Sequence, residues 1–403
     1  MPFRRRSSRS ASKPPRQIAL CREGWYYLLV LALVFGGAML REVNLLLVLA
    51  GMLLGPLVFS WRSVVLMLRG LRASRRVPEE ICAGDLLLGR LSLSNTRRRL
   101  GSWGVVIEEE IRREGAPKRE KPLRTSVLFP YLPAGESRKG VYRGRLVRRG
   151  RYRLGPLRLS TRFPFGLFRS TITLDQPDTV VVFPRLGRLT GRWARRQRLS
   201  FAGTHRRERR AGPEGDFYGV RPWQTGDVRR RVHWRASARA GELVVRQFEQ
   251  PRNRDLAVLV DLWQPRRPRP AARDNVELAV SFAATVVTEL CRAGDSNLLL
   301  GTTGEKPECT GGPASAPLLK EMMRRLALAE AHPRDGLDEL LETALGRIER
   351  GTEVVLVSTR PVDLADTERF ARLWSDPARR NTIRRIRCVD TSSPELSEYF
   401  QAE

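Results

Sequence analysis

The chain has 403 residues, a formal net charge of +30 and five cysteines. This length provides for two or three domains, each able to bury its own core. The cysteines lie far apart without a CxxC pair, which argues against a disulfide framework or a zinc ribbon and fits a reducing compartment. Only six of the 73 basic residues are lysine, so the charge alone does not identify a ligand.

Two apolar runs near the N-terminus predict membrane-spanning helices. Residues 25–40 and 43–59 contain no charged side chain, and their lengths approach the ~20 residues that a spanning helix needs. A signal peptide has one apolar core rather than two, and buried core helices are the alternative. Basic residues flank both runs, and the loop between them is very short. These flanks predict an inner-membrane hairpin over residues 25–60, behind a basic tail of residues 1–24, with both termini in the cytoplasm.

Short alternating segments after the hairpin predict an all-β, sandwich-like domain over residues 73–184. Residues 84–95 alternate apolar and polar side chains, residues 103–111 are rich in β-branched residues, and residues 125–133 end in turn residues. Residues 141–160 alternate apolar side chains with arginine and break at Gly-Pro. Strands at this spacing are typical of a β-sandwich.

Strands alternate with helices in the C-terminal part, which predicts a doubly wound α/β domain over residues 255–403. The predicted strands cover residues 255–261, 296–303, 353–358 and 382–390. The predicted helices cover residues 275–292, 317–331, 337–350 and 363–374.

Residues 185–254 form an Arg/Trp-rich connector between these two domains. The connector holds 19 arginines and six acidic residues, whereas the α/β domain has a net charge of −4. Membrane headgroups and nucleic-acid phosphates are alternative ligands for such a charge. A segment tied to a membrane hairpin favours lipid, and one tryptophan among arginines is not a stacking platform for bases. No specific nucleic-acid partner is therefore predicted.

The chain resembles the bacterial family called domain of unknown function 58 in four stretches. These are RRGRYRLGPLRLSTRFPFGLF (148–168), TVVVFPRL (179–186), residues 216–249, which begin DFYGVRPWQTGD, and the strand that ends in Asp261. The resemblance implies a membrane hairpin, a β-rich region, an Arg/Trp signature and a C-terminal domain like von Willebrand factor A. It also implies a MoxR-type AAA+ ATPase as partner, and it supplies no established enzymatic activity.

The signature stretch contains the residue types of a catalytic triad, but the spacing favours a packing and interaction role. Asp227, His233 and Ser237 lie within eleven residues of one segment, whereas triad members converge from separate loops. Asp227 is predicted to cap a short helical turn and to pair with an arginine. The turn is predicted to be locked against the α/β sheet by Arg231, His233, Trp234 and Arg235, with the Trp234 indole in the core. The predicted signature residues are Gly226, Asp227, Arg231, His233, Trp234, Arg235, Ser237, Arg239 and Glu242.

Asp261 marks a degenerate metal site. The resemblance implies that such domains bind Mg²⁺ where a strand ends in DxSxS, with a threonine and an aspartate from later loops. Here Trp263 and Pro265 replace both serines, residues 302–303 supply the candidate threonine, and residues 359–360 are Thr-Arg where the family pattern often has an acid. Because Mg²⁺ requires octahedral oxygen ligands, we expect no metal here and no cofactor.

The motifs that are missing narrow the expected function. The chain has no GxxxxGK[ST] motif, so it is not the ATPase itself, and it has no HExxH motif. We expect a membrane-anchored cytoplasmic interaction or scaffold protein, rather than an enzyme, that acts with a MoxR-type ATPase in assembly or maturation of envelope-related proteins. The alternatives are a hydrolase-like enzyme with a site in the α/β crevice, and binding of anionic lipid or nucleic acid through the connector.

Overall fold

A computed structural model describes residues 16–41, 44–117, 120–193, 195, 216–225, 227–249, 255–294, 296–349 and 351–402. The chain divides into two units, Met1–Phe183 and Pro184–Glu403. Most of the predicted basic tail lies outside the described residues.

Two long helices, α1 (Arg22–Arg41) and α2 (Asn44–Met67), contain the two apolar runs. Both are long and apolar enough to cross a membrane, and only 11% of each apolar stretch is buried within the structure. The alternative of buried core helices is therefore not what is observed. α2 continues eight residues beyond the apolar run, and this last part holds the buried residues Ser60, Ser63 and Val64.

Two sheets form the β domain of the first unit. Its described strands are β1 (Arg16–Leu20), β2 (Leu71–Arg76), β3 (Glu80–Cys82), β4 (Leu86–Asn95), β5 (Ser102–Arg113), β6 (Leu123–Leu132), β7 (Ser137–Arg145), β8 (Gly150–Thr161), β9 (Phe168–Leu174) and β10 (Asp178–Phe183). One sheet has the order β2-β4-β7. In the other, β8 pairs with β5 along one edge and with β10 and then β9 along its other edge. β6, β1 and β3 extend this sheet from β5, β9 and β10.

One hydrophobic core lies between these sheets. Buried residues Leu87, Leu91 and Leu93 of β4 alternate with more exposed neighbours, because successive side chains of a strand point to opposite faces. They pack in one cluster with Ile107 of β5 and Leu159 of β8. The predicted all-β region is thus observed as a two-sheet domain.

A buried ion pair joins the two sheets inside this core. Arg75 of β2 contacts Glu109 of β5, and their side chains are 3% and 0% exposed. The Tyr142 hydroxyl of β7 donates a hydrogen bond to Glu109 at 2.8 Å. Burial raises the pKa of Glu109, and the charge of Arg75 offsets this only in part. Removing either charged partner would leave the other buried without a counter-ion and would lower the free energy of unfolding by about 3–5 kcal/mol.

The second unit contains a five-stranded α/β sheet. Its strands are β14 (Leu256–Asp261), β15 (Asn297–Thr302), β16 (Glu308–Pro313), β17 (Glu353–Ser358) and β18 (Arg387–Asp390). The described helices that follow β14 are α4 (Pro270–Ala293), α5 (Ala316–Leu328), α6 (Leu337–Leu345), α7 (Ala371–Ser375), α8 (Pro377–Ile383) and α9 (Leu396–Tyr399). The strand order is β16-β15-β14-β17-β18, with β16 antiparallel at one edge and the others parallel. The first strand thus lies in the middle of the sheet.

Helices pack on this sheet through its apolar residues. Ala257 and Leu259 of β14 share a buried cluster with Leu340 and Leu341 of α6. α4 packs against β14 and β17 and also against α5. All six residues of β14 are buried, as expected for a central parallel strand covered on both faces.

Three local predictions for this unit are wrong. β16 was not predicted, and residues 363–370 are turns rather than the start of a helix, because Asp363 and Asp366 accept hydrogen bonds from nearby backbone N–H groups. The predicted strand over 382–390 begins only at Arg387, since α8 extends to Ile383 and a turn follows it. α8 begins at Pro377, and proline suits the first position of a helix.

Residues 185–193, assigned by sequence to the connector, pack on the α/β domain. The two-residue strands β11 (Arg188–Leu189) and β19 (Phe400–Gln401) pair antiparallel. The Ser281 hydroxyl of α4 donates to the Arg185 carbonyl at 2.5 Å. Trp193 is 2% exposed and packs edge-on against Phe282, with ring centroids 5.2 Å apart.

Candidate functional site

The signature stretch folds as a β-hairpin with a short helix in its connection. β12 (Asp216–Pro222) and β13 (Val244–Glu249) pair antiparallel, and α3 (Trp234–Ala240) lies between them. A 3₁₀ turn, Arg229–Arg231, precedes α3. These elements are called the signature module below.

Asp227 closes the first turn of the module. Its carboxylate accepts two hydrogen bonds from the Arg221 guanidinium, at 2.7 and 2.6 Å, and a third from the Gln224 N–H at 2.9 Å. The hydrogen bond from Arg221 is the largest cause of a lowered pKa for Asp227. The predicted pairing with an arginine is observed. The predicted capping role is not, because Val228 lies at the cap of the 3₁₀ turn and its side chain makes no capping bond.

His233 and Ser237 hold α3 in place. His233 is the N-cap, and its Nδ1 accepts a hydrogen bond from the Ala236 N–H at 3.2 Å. The Ser237 hydroxyl accepts the Val244 N–H at 2.9 Å and so fastens the helix to β13. Gly241 ends the helix at φ 72°, a left-handed conformation that favours glycine.

These bonds do not assemble Asp227, His233 and Ser237 into a catalytic triad. The Asp227 carboxylate is held by Arg221, and the Ser237 hydroxyl donates to the His233 main-chain carbonyl at 3.2 Å. A triad would require the hydroxyl to face the imidazole and the imidazole to face the carboxylate. Through these hydrogen bonds the three residues stabilise the turn and the short helix of the module.

Trp234 corrects the sequence interpretation. It was expected to pack the turn as a core residue, but its side chain is 68% exposed. Trp234 is the first residue of a short helix whose buried position is Ser237, so the indole lies outside the face that packs on β13. Val228 nearby is also 59% exposed.

Several arginines lie close in sequence to these exposed apolar side chains. Arg231 is half-buried, while Arg235, Arg239 and Glu242 are exposed. Arg229 and Arg230, which were not among the predicted signature residues, are also exposed. Gly226 lies outside the described residues. The module thus presents tryptophan and arginine to solvent, two residue types that are enriched at protein interfaces.

Asp261 lies at the carboxyl end of β14, where the strand order of the α/β sheet reverses. Ligands of doubly wound sheets bind at this position. Asp261 is buried, with 1% of its surface exposed. Its Oδ2 accepts hydrogen bonds from the Ser358 hydroxyl at 3.2 Å and from the Arg360 Nε at 3.3 Å. Burial raises the pKa of Asp261, and the charge of Arg360 and the Ser358 bond lower it only in part.

Arg360 joins Asp261 to a second carboxylate. Its Nη2 donates to Asp335, which also accepts from Arg369 at 2.7 Å. The guanidinium lies 5.1 Å from the Trp263 ring centroid, in cation–π geometry. Burial alone would raise the pKa of Asp335, but the hydrogen bond and charge of Arg360 lower it overall. The crevice therefore holds an internal cation between two carboxylates.

Thr303, one of the two candidate ligands, and Thr359, at the position where the family pattern often has an acid, both have main-chain partners. The Thr303 hydroxyl accepts the Leu262 N–H at 2.8 Å, and the Thr359 hydroxyl donates to the Trp263 carbonyl at 2.6 Å. Within the described ranges, no group of three or more His, Cys, Asp or Glu side chains is placed to hold a metal ion. Ser358 and Asp335 were not predicted, because the metal-site pattern used for the prediction contains neither position. Ser358 could have been found, since it is the last residue of a predicted strand.

Part of the second unit matches a known protein family. The sequence profile of the family described as "Protein of unknown function DUF58" matches residues 219–398. This range contains most of the signature module and the Asp261 strand, and it agrees with the resemblance noted from the sequence. A curated relative, "Uncharacterized protein YeaD" of Bacillus subtilis (strain 168), is 24% identical over 320 residues, covering 74% of this chain and 72% of that protein.

Two of the solved structures that this chain is similar to cover about a quarter of it. The CARDB domain of PF1109 from Pyrococcus furiosus has 11% identity over 26% of this chain and 93% of that chain, with a TM-score of 0.19. A superoxide reductase (neelaredoxin) from Ignicoccus hospitalis has 14% identity over 27% of this chain and 79% of that chain, with a TM-score of 0.20. TM-scores of this size support no inference about fold or function.

Proposed function

Residues 219–398 belong to the family of proteins of unknown function DUF58, and from this premise we propose that the chain is a membrane-anchored interaction protein. The observation that carries the proposal is the exposure of Trp234, at 68%, in a module whose backbone is already held by Asp227 and Ser237. A large exposed aromatic side chain among arginines contributes little to the fold. Tryptophan and arginine are the residues that most often dominate binding energy at protein interfaces.

In this proposal α1 and α2 cross the cytoplasmic membrane as a hairpin. Apolar side chains along both helices, such as Leu33 at 68% and Leu45 at 77%, are exposed and would otherwise face water. Arg62, Arg69 and Arg72 follow the second apolar run, and the positive-inside rule favours the cytoplasm for this side. Both termini and both folded units then lie in the cytoplasm.

The α/β domain acts, in the same proposal, as a von Willebrand A-like interaction domain that needs no metal. Its strand order and the family resemblance support the fold. Arg360 supports the metal independence, because its guanidinium already neutralises the Asp261 carboxylate. A divalent cation at this carboxylate would have to compete with the internal cation, whose Nε bonds the Asp261 Oδ2.

The proposed partner is a MoxR-type AAA+ ATPase, and the proposed process is assembly or maturation of envelope-related proteins. This partner follows from the family resemblance. The exposed arginines of the signature module, Arg229, Arg230 and Arg235, favour an acidic patch on the partner surface, since charge complementarity speeds encounter and excludes wrong partners.

The test is a binding measurement between the full chain in lipid nanodiscs and the MoxR-type ATPase encoded nearest to it. We expect Trp234→Ala and Arg230→Ala each to weaken binding by at least about tenfold, which corresponds to about 1.4 kcal/mol. Arg324→Ala removes another exposed arginine, from α5, and should leave binding unchanged.

Hydrogen exchange of β12 and β13 should be the same in all variants, which shows that the module still folds. Unchanged binding in Trp234→Ala and Arg230→Ala would refute the proposed docking surface. If the native chain does not bind the ATPase, the proposed partner is wrong.

A further inference from the structure

We propose that one end of the β domain inserts into the membrane interface beside α2, with Phe165 leading. The β domain then binds the bilayer directly and is not merely tethered to it. This inference rests on the proposed function only in taking α1 and α2 to cross the membrane. The partner that it assigns to this surface is the phospholipid headgroup region.

Both apolar helices are fastened to the same end of the β domain. The guanidinium groups of Arg16 and Arg97 donate to main-chain carbonyls in the last turn of α2, including Val64 and Leu66 at 3.2 and 2.6 Å. Carbonyls in the last turn of a helix generally lack partners within the helix, and the cations also suit the negative end of its dipole; the Leu66 carbonyl accepts the Arg69 N–H at 3.1 Å as well. The Ser102 hydroxyl donates to the Met67 carbonyl at 2.8 Å.

The start of α1 is fastened to this end as well. The N–H of Cys21, just before α1, donates to the Leu167 carbonyl at 2.8 Å, and β1, which leads into the helix, pairs with β9. Because both helices enter the domain through hydrogen bonds, the depth of the domain relative to the bilayer is fixed. No flexible linker separates it from the membrane.

Phe165 reaches the apolar part of α2. It belongs to the loop between β8 and β9, and its ring lies 6.3 Å from that of Phe59. Phe59 lies eight residues before the end of α2, about 12 Å along the helix axis. The first charged residue of α2 is Arg62, so Phe59 marks the boundary between apolar core and headgroups. Phe165 is 54% exposed at this level.

A second aromatic group lies beside this loop. Trp103 contacts Tyr131 and Phe163, with ring centroids 4.2 and 5.8 Å apart, and it is 45% exposed. The Thr161 hydroxyl donates to the Trp103 carbonyl at 3.0 Å and holds the strand end in place. Trp103, Tyr131, Phe163 and Phe165 are called the aromatic rim below. Aromatic rings of this kind prefer the membrane–water interface.

Exposed arginines accompany the aromatic rim. Arg98 and Arg99 lie in the loop between β4 and β5 that also supplies Arg97, and Arg162 precedes Phe163. All three are exposed, together with Leu100 at 42%. Guanidinium groups bind phosphate through paired hydrogen bonds. Apolar tips with flanking arginines at the level of the helix boundary fit a phospholipid headgroup layer.

The opposite end of β8 provides a matched control. Val147 lies in the loop before β8 and is 73% exposed, more than Phe165. β8 has 12 residues, so Val147 is about 36 Å from the rim along the strand. If exposed apolar side chains contacted lipid regardless of their place in the domain, Phe165 and Val147 would contact it equally. If the depth of the domain in the membrane interface is fixed, only Phe165 contacts lipid.

The experiment places the photoreactive residue p-benzoylphenylalanine, in separate full-length chains, at Phe165, Leu100, Val147 and Leu33. The chains are reconstituted in nanodiscs of phosphatidylcholine and phosphatidylglycerol, irradiated, and searched for lipid adducts by mass spectrometry. We expect lipid adducts from the probes at positions 165 and 100, at a yield within about threefold of that at position 33 in α1. The probe at position 147 should give at least tenfold less.

Every other outcome overturns the inference. Lipid adducts at position 33 without adducts at positions 165 and 100 mean that the helices cross the bilayer but the β domain does not touch it. Crosslinks from position 165 to protein instead of lipid mean that a second copy or another protein covers the rim. Missing adducts at position 33 as well would overturn the proposed membrane insertion together with this inference.

Discussion

Replacing Arg360 by alanine removes the cation that faces the buried carboxylate of Asp261. In the native crevice this carboxylate accepts from the Arg360 Nε at 3.3 Å and from the Ser358 hydroxyl at 3.2 Å. The variant keeps only the hydroxyl of these two donors. Asp335 also loses a partner, but it keeps Arg369 and its side chain is 44% exposed, so its contribution is small.

The expected loss is about 3 kcal/mol in the free energy of opening the α/β sheet. Removing one partner of a buried ion pair costs about 3–5 kcal/mol, and the lower end applies because the Arg360 side chain is 18% exposed. The same perturbation raises the pKa of Asp261 further, because the carboxylate loses the charge that partly offsets its burial.

The loss should depend on pH in a defined direction. Burial already raises the pKa of Asp261 above its unfolded value. The stability associated with its protonated form is therefore fully present below the unfolded pKa, about 3.9, and is lost as the pH rises through the folded-state pKa. Arg360→Ala moves that folded-state pKa upward. The difference from the native protein should be largest near pH 8 and should shrink as the pH falls towards about 5.

Hydrogen exchange on the full chain in nanodiscs measures the free energy of opening the α/β sheet, in peptides that cover β14 and β17. Rates at about pH 5 and about pH 8 are corrected for intrinsic exchange. Asp261→Asn combined with Arg360→Ala removes the stranded charge and should recover most of the loss. Arg369→Ala, which takes a cation only from the exposed Asp335, should cost less than about 1 kcal/mol. An equal loss at both pH values, or no recovery in the double variant, would refute the reasoning.

Three further predictions use the same protein. Ser237→Ala should speed exchange in β13 by the equivalent of about 1–3 kcal/mol, because the Val244 N–H loses its partner, whereas Trp234→Ala should change it by less than about 0.5 kcal/mol; the reverse order would return Trp234 to the core. Exchange in the α/β sheet should be equal in millimolar Mg²⁺ and in chelator, and protection by Mg²⁺ that Asp261→Ala abolishes would contradict the crevice assignment. A membrane-impermeant thiol reagent should label Cys388 only after cells are permeabilised, because its side chain is exposed on the cytoplasmic domain. Labelling should be slow, because partial desolvation by neighbouring atoms and then the charge of Asp363 raise the pKa of this thiol to about 11. Labelling in intact cells would contradict the topology.

The sequence pattern predicted secondary structure correctly where interactions between neighbouring residues determine it. The two uncharged runs became α1 and α2, and the apolar runs that end in Asp261 and Ser358 became β14 and β17. Periodicity and composition determine these elements because a helix or strand satisfies its own backbone and presents one face by its repeat. The same local logic failed over 363–370, where aspartate side chains compete for the backbone N–H groups.

The candidate sites depend on contacts that no local pattern contains. Arg360 and Asp261 are 99 positions apart, and Arg360 and Asp335 are 25 positions apart, so their shared ion pair exists only after the sheet has formed. Trp234 was expected in a core because tryptophan is apolar, yet burial depends on which other elements cover a residue. In its seven-residue helix only Ser237 faces the hairpin, and the indole is left to solvent. The sequence by itself determined most of the helices and strands and the residue types at each end of them. Only the tertiary structure decided which charges are paired and which apolar side chains remain exposed, because both depend on distances between segments far apart in the chain.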